Sequence, residues 1–450
     1  MPSLFGSSGV RGVYGRDITP SLIIKLGYAI SAFIGRRKTI SIGIDTRASS
    51  PLIKGLLASS FMSSGHDVVD YGVLPTPALS FLTGKHTDFG AMITASHNPP
   101  EYNGVKVFDH EGKALGPCES ANIEKLFDKA PKMVSWNEVG SLHDDRERLE
   151  EYLEYVISLA SPKLDKLKIV FECFNATACM VVPHLRTSTF KKSILLNSSP
   201  SPIFSVDRPE PSPETTELLQ KVVKAEKAFA GIAYDGDCDR FSLVDEKGRF
   251  IELDKLLAFY ARHLVENHDV KVIVTNISAS MVIDELVESA GGKVVRVPVG
   301  DVYVADEMKK QGTTFGGEPC GAWIHFEHNK SPDGIISSIL MLNILSEEGK
   351  PSKLFDEIPS YHIIRYNLEC PPKLKVKVVE NFKENIERIL GEPIELLEVD
   401  GVFAKYNDYW CLVRSSGTED VVRVTVEARE RAMGENVAKK IVSHLRGIIR

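Results

Sequence analysis

The stretch Thr94-Ala95-Ser96-His97-Asn98-Pro99-Pro100 sets one serine in a polar turn just ahead of Asn103-Gly104-Val105-Lys106. Proline fixes φ and asparagine bonds its own backbone, so the turn is stiff. It suits the display of a phosphate-carrying hydroxyl, and it equally suits an ordinary surface turn. A second loop, Asp235-Gly236-Asp237-Cys238-Asp239-Arg240, carries three alternating carboxylates between the strand-like runs Ile232-Ala233-Tyr234 and Phe241-Ser242-Leu243-Val244. Alternation along an extended stretch predicts that all three lie on one side. Hard oxygen donors with no nitrogen or sulfur partner suit Mg²⁺ or Ca²⁺. A calcium loop would use Asp235, Asp237, Asp239 and Glu246, but Arg240 stands where it needs glycine, and strand-like runs flank it where it needs helices. An arginine directly after three carboxylates fits a site that also holds an anion, because guanidinium matches phosphate oxygens in bidentate fashion. The alternative is a solvated acidic turn.

Two further loops have chemistry in them. In Gly316-Gly317-Glu318-Pro319-Cys320-Gly321 the glycines allow close backbone approach and Glu318 presents an acceptor. In Arg414-Ser415-Ser416-Gly417-Thr418-Glu419 an arginine, small hydroxyls and backbone amides freed by glycine make the inventory of an anion-binding nest. Each by itself is also a plain tight turn.

The elements that must position these loops alternate as stacked βαβ units. Thr19-Pro20 predicts a capped helix start, followed by Ile23, Ile24, Leu26, Ile30 and Phe33 at helical spacing. Short apolar strands are predicted at 40–45, 168–171, 230–234 and 270–274, separated by helix-length stretches that favour crossovers. Parallel or mixed sheets with helices on both faces follow. A chain of 450 residues is too long for one core and predicts three or four domains. The charge-rich passage 142–149 reads as a joint, and boundaries fall near 146, 249 and 359.

Composition excludes several function classes. A net charge of -7 without a Lys/Arg run argues against a general nucleic-acid grip. No apolar run reaches the roughly 20 residues of a membrane span. The seven cysteines are odd in number and never spaced as CxxC, which predicts neither a disulfide framework nor a zinc site and fits a cytoplasmic location. No GxxxxGK[ST] loop is present, against a nucleotide-driven kinase.

Taken together and in this order, the four loops resemble the α-D-phosphohexomutase superfamily, the phosphoglucomutase and phosphomannomutase relatives. Phe5-Gly6-Ser7-Ser8-Gly9-Val10-Arg11-Gly12, Asp45-Thr46-Arg47 and Pro75-Thr76-Pro77 add to the resemblance. It implies an α/β fold of four domains around a central cleft: three similar mixed-sheet α/β domains and a smaller C-terminal α+β phosphate-binding domain. They would span 1–145 with the phosphoserine loop, 146–248 with the metal loop, 249–358 with the sugar loop and 359–450 with the phosphate loop. It further implies Ser96 as the phosphoserine, with Asp235, Asp237 and Asp239 holding one Mg²⁺ together with an oxygen of its phosphate. Lys106 is the implied general acid/base and His97 the runner-up. Arg11 and Arg240 would offset the cluster's charge, Glu318 and Cys320 would contact the sugar, and Arg414, Ser416, Gly417 and Thr418 would clamp the phosphate that is not reacting.

The implied reaction moves phosphate between O6 and O1 of a hexose or hexosamine phosphate through a 1,6-bisphosphate, which also serves as activator. The run Gly317 to Trp323, with Pro332-Asp333-Gly334 beyond it, looks most like the archaeal-type phosphoglucosamine mutases, so glucosamine phosphate is the expected substrate, with glucose or mannose phosphates the alternative. Departures bear on that choice. Cys320 stands where the family commonly has serine and Ala322 where it has histidine. A thiol is a weaker donor than a hydroxyl, so an epimer such as galactosamine phosphate would also be accepted. Two other classes share these residues: a sugar-phosphate phosphatase and a non-catalytic sugar-phosphate sensor.

Overall fold

In the strand Thr39–Ile44 the side chains alternate in kind, and that alternation builds the first layers. Ile40, Ile42 and Ile44 are buried with Ile23, Leu26 and Ile30 of the helix Pro20–Ile34 and with Ile53, Leu57 and Phe61 of the helix Ser50–Ser63. Ser41 and Gly43 face the helix Thr76–His86: Ser41 Oγ lies 2.7 Å from Thr83 Oγ1, and a Cβ on Gly43 would collide with Leu74 and crowd Leu79. Helices therefore cover both faces of this sheet, as the βαβ pattern predicts. The computed structural model describes residues 4–6, 9–129, 132–416 and 420–449. Two compact units make up the chain, Met1–Leu256 with Gly300–Phe355, and Leu257–Val299 with Asp356–Arg450.

The first unit contains two complete sheets. One has six strands in the order Val10–Val13, Tyr102–Phe108, Phe89–Ile93, Thr39–Ile44, Asp67–Val73, Leu142–Asp144. Its centre is parallel and its Val10–Val13 end antiparallel. The Thr19 hydroxyl accepts from Leu22 N at 3.3 Å, so the predicted helix start is real. The passage 142–149, read from the sequence as a joint, begins with a paired edge strand that the sequence does not predict. Edge pairing uses backbone groups, which exposed polar side chains do not announce.

The other sheet runs Phe241–Asp245, Ala230–Tyr234, Ile169–Glu172, Ile194–Leu196, its first pair antiparallel and the rest parallel. The part of this unit after residue 299 holds the helix Asp301–Gln311, an antiparallel hairpin of Phe315–Gly317 with Trp323–His325, and the helix Gly334–Glu348.

In the second unit Val272–Asn276 pairs parallel with Lys293–Val297. That strand begins two residues later than its apolar run predicts. A five-stranded antiparallel sheet follows, in the order His362–Glu369, Val421–Ala428, Tyr409–Ser415, Val402–Lys405, Glu395–Leu397. The helices Pro372–Leu390 and Arg431–Ile449 bury Phe382, Ile386, Ile441 and Leu445 with its valines. Among the described residues no helix is long and apolar enough to cross a membrane.

Candidate active site

The serine loop leaves the strand Phe89–Ile93 and turns at once. Ser96 has a φ of 48°, a left-handed value that few non-glycine residues adopt. Its N–H is held by Thr94 Oγ1 at 2.9 Å, and Asn98 N reaches Ala95 O at 3.0 Å. The loop is pinned from below by Arg47, whose guanidinium is buried and donates to the carbonyls of Ser96 at 2.8 Å, Asn98 at 2.7 Å and Tyr102 at 3.1 Å, and also to Pro99. Asp45 neutralises Arg47 through Nε at 2.9 Å. Asp45-Thr46-Arg47 is legible in the sequence as a motif, but its use as the serine loop's anchor is not.

The metal loop joins the antiparallel strands Ala230–Tyr234 and Phe241–Asp245. It is a tight turn with Cys238 at a φ of 63°, and not the extended stretch that simple alternation predicts. The turn, rather than a strand's pleat, gathers Asp235, Asp237 and Asp239, whose ligand atoms lie within 4.8 Å of one another. A Cβ on Gly236 would collide with the Ser96 carbonyl oxygen, so only glycine lets this turn rest on the serine loop. The Ser96 hydroxyl donates to Asp235 Oδ2 at 2.7 Å and lies 3.1 Å from His97 Nδ1. Thr76, from the Pro75-Thr76-Pro77 turn, donates to Asp237 Oδ2 at 2.6 Å. Asp237 Oδ1 and Asp239 Oδ1 are buried and accept no hydrogen bond among the described residues.

The electrostatics follow from that crowding. Burial, then the charges of Asp239 and Asp237, drive the Asp235 carboxyl well above its ordinary pKa, and burial with Asp237 lifts Asp239 to about 6. For Asp237 burial is outweighed by the Thr76 hydrogen bond and by Arg11 and Lys106, which hold it low. Arg240 N donates to Asp235 Oδ1 at 3.1 Å, while its guanidinium reaches Glu210 at 2.9 Å and stands 3.8 Å from Asp239. Burial with Arg240 and Arg11 depresses the His97 imidazole to about 3. Arg11 lies on the edge strand Val10–Val13, beside Gly104. Two oxygens without donors in a buried acidic cluster fit a divalent cation, and all-oxygen ligation fits a hard one.

Lys106 sits in the middle of the strand Tyr102–Phe108 and is only 3 % exposed, so it is no solvated loop lysine. Its ammonium pairs with Asp301 at 2.8 Å and stands 3.9 Å from Asp239. Burial disfavours that charge, but Asp301 and Asp239 outweigh it and raise the pKa. Sequence reasoning missed Asp301, which lies almost two hundred positions from Lys106 in a helix start that carries no motif of its own.

The sugar loop is the hairpin turn between Phe315–Gly317 and Trp323–His325, closed by Glu318 N to Ala322 O at 2.9 Å. Gly321, at a φ of 87°, packs where any Cβ would collide with the Phe241 carbonyl, which places the loop on the strand that leaves the metal loop. Glu318 is buried and its Oε1 accepts from Gly300 N at 2.9 Å. Cys320 is half-buried, and burial pushes its thiol up to about 12.

The second unit carries Arg414, on the strand Tyr409–Ser415 and paired with Asp400 at 3.0 Å, and buried Ser416, whose carbonyl accepts from Lys375 Nζ at 2.9 Å. Gly417 and Thr418 lie outside the described residues, as do Ser7 and Ser8.

Comparison with known proteins settles the lineage. Four domain profiles of one family match the chain: phosphoglucomutase/phosphomannomutase alpha/beta/alpha domain I over residues 2–133, domain II over 150–248, domain III over 252–361 and the C-terminal domain over 368–444. The chain belongs to this family of phosphohexomutases. The phosphohexomutase is 39% identical over 449 residues to a probable phosphoglucosamine mutase of Methanopyrus kandleri, covering 99% of this chain and 98% of that one. It is 37% identical over 446 residues to a phosphoglucosamine mutase of Methanococcus vannielii, covering 98% of each. The crystal structure of a phosphoglucomutase/phosphomannomutase family protein from Burkholderia thailandensis superposes with a TM-score of 0.88 at 24% identity, over 99% of this chain and 97% of that one. That likeness shows the fold.

Proposed function

We propose that this phosphohexomutase interconverts hexosamine 6-phosphate and 1-phosphate, with glucosamine phosphate as its main substrate, through phosphorylated Ser96 and a 1,6-bisphosphate. The observation that carries the reading is the Ser96 hydroxyl 2.7 Å from Asp235, at the edge of a buried acidic cluster with two unsatisfied oxygens. Asp235, Asp237 and Asp239 would hold one Mg²⁺, which when bound supplies the positive charge that a phosphorylated Ser96 and three carboxylates require. Priming starts from the free serine. Ser96 Oγ attacks a phosphate of the bisphosphate, its proton leaves toward Asp235, and the P–O bond to the sugar breaks as Lys106 gives a proton to the departing oxygen. The charged form in which Asp301 and Asp239 hold Lys106 suits that half. In the second half the free hydroxyl of an incoming monophosphate gives its proton to Lys106 and attacks the phosphate on Ser96; the P–O bond to Ser96 breaks, Ser96 Oγ takes its proton back from Asp235, and the bisphosphate re-forms. Phosphoryl transfer asks the protein chiefly for alignment and charge, which Arg47 supplies by fixing the serine loop.

Glu318 and Cys320 would read ring hydroxyls, and Arg414, Ser416, Gly417 and Thr418 would hold the phosphate that is not reacting. We assign these loops to domains spanning 1–145, 146–248, 249–358 and 359–450. All seven cysteines are free, in keeping with a cytoplasmic enzyme. The weak donor at Cys320 extends acceptance to galactosamine phosphate. Strict rejection of that epimer at saturating concentration would contradict this extension.

The test is ³¹P NMR of glucosamine, galactosamine, glucose and mannose 6-phosphates with Mg²⁺ and a trace of the matching 1,6-bisphosphate. A 1-phosphate signal, strongest for glucosamine, is expected. Release of free phosphate alone would favour a phosphatase, and binding without conversion a sensor.

A further inference from the structure

The start of the helix Asp301–Gln311 touches two of the loops at once. Asp301 is its first residue and its carboxylate reaches Lys106 Nζ at 2.8 Å, with both side chains buried. The preceding residue, Gly300, has a φ of 138°, a value that favours glycine, and its N–H donates to Glu318 Oε1 at 2.9 Å. Two adjacent residues thus hold the ammonium on one side and the sugar loop's carboxylate on the other. A second carboxylate competes for the same ammonium, because Asp239 Oδ2 stands 3.9 Å from Lys106 Nζ. Without Asp301, Asp239 would be left as the nearer carboxylate to draw the ammonium.

We infer that Asp301 is a positioning residue for proton transfer: it aims Lys106, and through Gly300 it sets that aim in register with Glu318. The inference rests on the proposed function only in taking Lys106 as the proton carrier. Asp301 itself donates and accepts no proton in the reaction. Its effect is directional, and a misplacement of about 1 Å in a reacting group costs on the order of 100-fold.

The test is a double-mutant cycle on the full chain with Mg²⁺, glucosamine 6-phosphate and glucosamine 1,6-bisphosphate, measuring kcat and KM for the variants Asp301→Asn, Asp301→Glu, Lys106→Ala and the two double variants that combine Lys106→Ala with either change at Asp301. Asp301→Asn is expected to lower kcat about 100-fold with KM within about 3-fold of wild type. Asp301→Glu keeps the charge and is expected to recover most of the loss, and it carries the test should the asparagine variant not fold. In the Lys106→Ala background either change is expected to cost less than about 3-fold, since residues that act as a unit are not additive. Losses that multiply across the two positions, or a rise in KM with kcat unchanged, would overturn the inference while leaving the mutase reading intact. A wild-type protein that converts none of the four sugars would overturn the mutase reading, and this inference with it.

Discussion

Asp239 and Asp333 are both buried carboxylates that burial lifts to about 6, yet they do opposite things. Asp333 is saturated. Its Oδ1 accepts from Ile336 N at 2.9 Å and Tyr152 OH at 3.0 Å, and Asn329 Nδ2 donates to its Oδ2 at 3.1 Å. It caps the helix Gly334–Glu348 and needs nothing from outside the protein. Asp239 keeps a buried oxygen that accepts no hydrogen bond among the described residues, beside another on Asp237. A shifted pKa therefore does not separate a structural carboxylate from one proposed to hold a metal here. Between these two the difference lies in the oxygen that accepts no hydrogen bond among the described residues, since a buried acceptor left without a donor costs roughly 1–3 kcal/mol unless a ligand completes it.

The largest expected effect lies on the unsatisfied side. Ser96→Ala is expected to reduce conversion by about 10⁵-fold, as loss of a nucleophile does, read as loss of the 1-phosphate signal in ³¹P spectra. Lys106→Ala should lower kcat by roughly 10²–10⁴-fold. His97→Ala should cost less, since a neutral imidazole half-buried among arginines has no proton to give near neutral pH. A larger loss at His97 than at Lys106 would transfer the acid/base role to His97.

Magnesium sharpens the contrast. At about 100 times its Kd, Mg²⁺ is expected to stabilise the wild type by about 2.7 kcal/mol, a Tm rise of roughly 2–4 °C. Asp237→Asn should lose that rise, whereas Asp333→Asn should keep it. Thermal melts with and without the ion, needing no substrate, decide the matter.

An effect of similar size belongs to Asp333 and pH. Its folded pKa of about 6 lies above the ordinary 3.8. Between those values the folded chain holds a proton that the unfolded chain has lost, so this group's contribution to stability falls as pH rises and levels off above 6. The stability of Asp333→Asn relative to wild type should therefore rise by roughly 2–3 kcal/mol from pH 4 to above pH 6. Parallel curves for the two proteins would contradict that assignment.

The serine and metal loops are legible in the sequence because proline, asparagine and alternating aspartates write their chemistry into consecutive residues. What escapes is whatever the fold assembles from distant ones. Asp301 joins Lys106 across 195 positions and Thr76 joins Asp237 across 161. The geometry of the acidic loop escapes for another reason: one left-handed residue, Cys238, converts an expected strand into a turn, and cysteine gives no signal for that conformation. The edge strand Leu142–Asp144 is hidden by its exposed, polar side chains.

The measurement that bears most directly on the account is peptide mass mapping of the protein, quenched after incubation with glucosamine 1,6-bisphosphate and Mg²⁺ and again after excess glucosamine 6-phosphate is added. The account predicts one phosphorylated residue, Ser96, that is formed in the first sample and turns over in the second. Turnover with phosphate on another residue, or with no phosphoprotein at all, would contradict it.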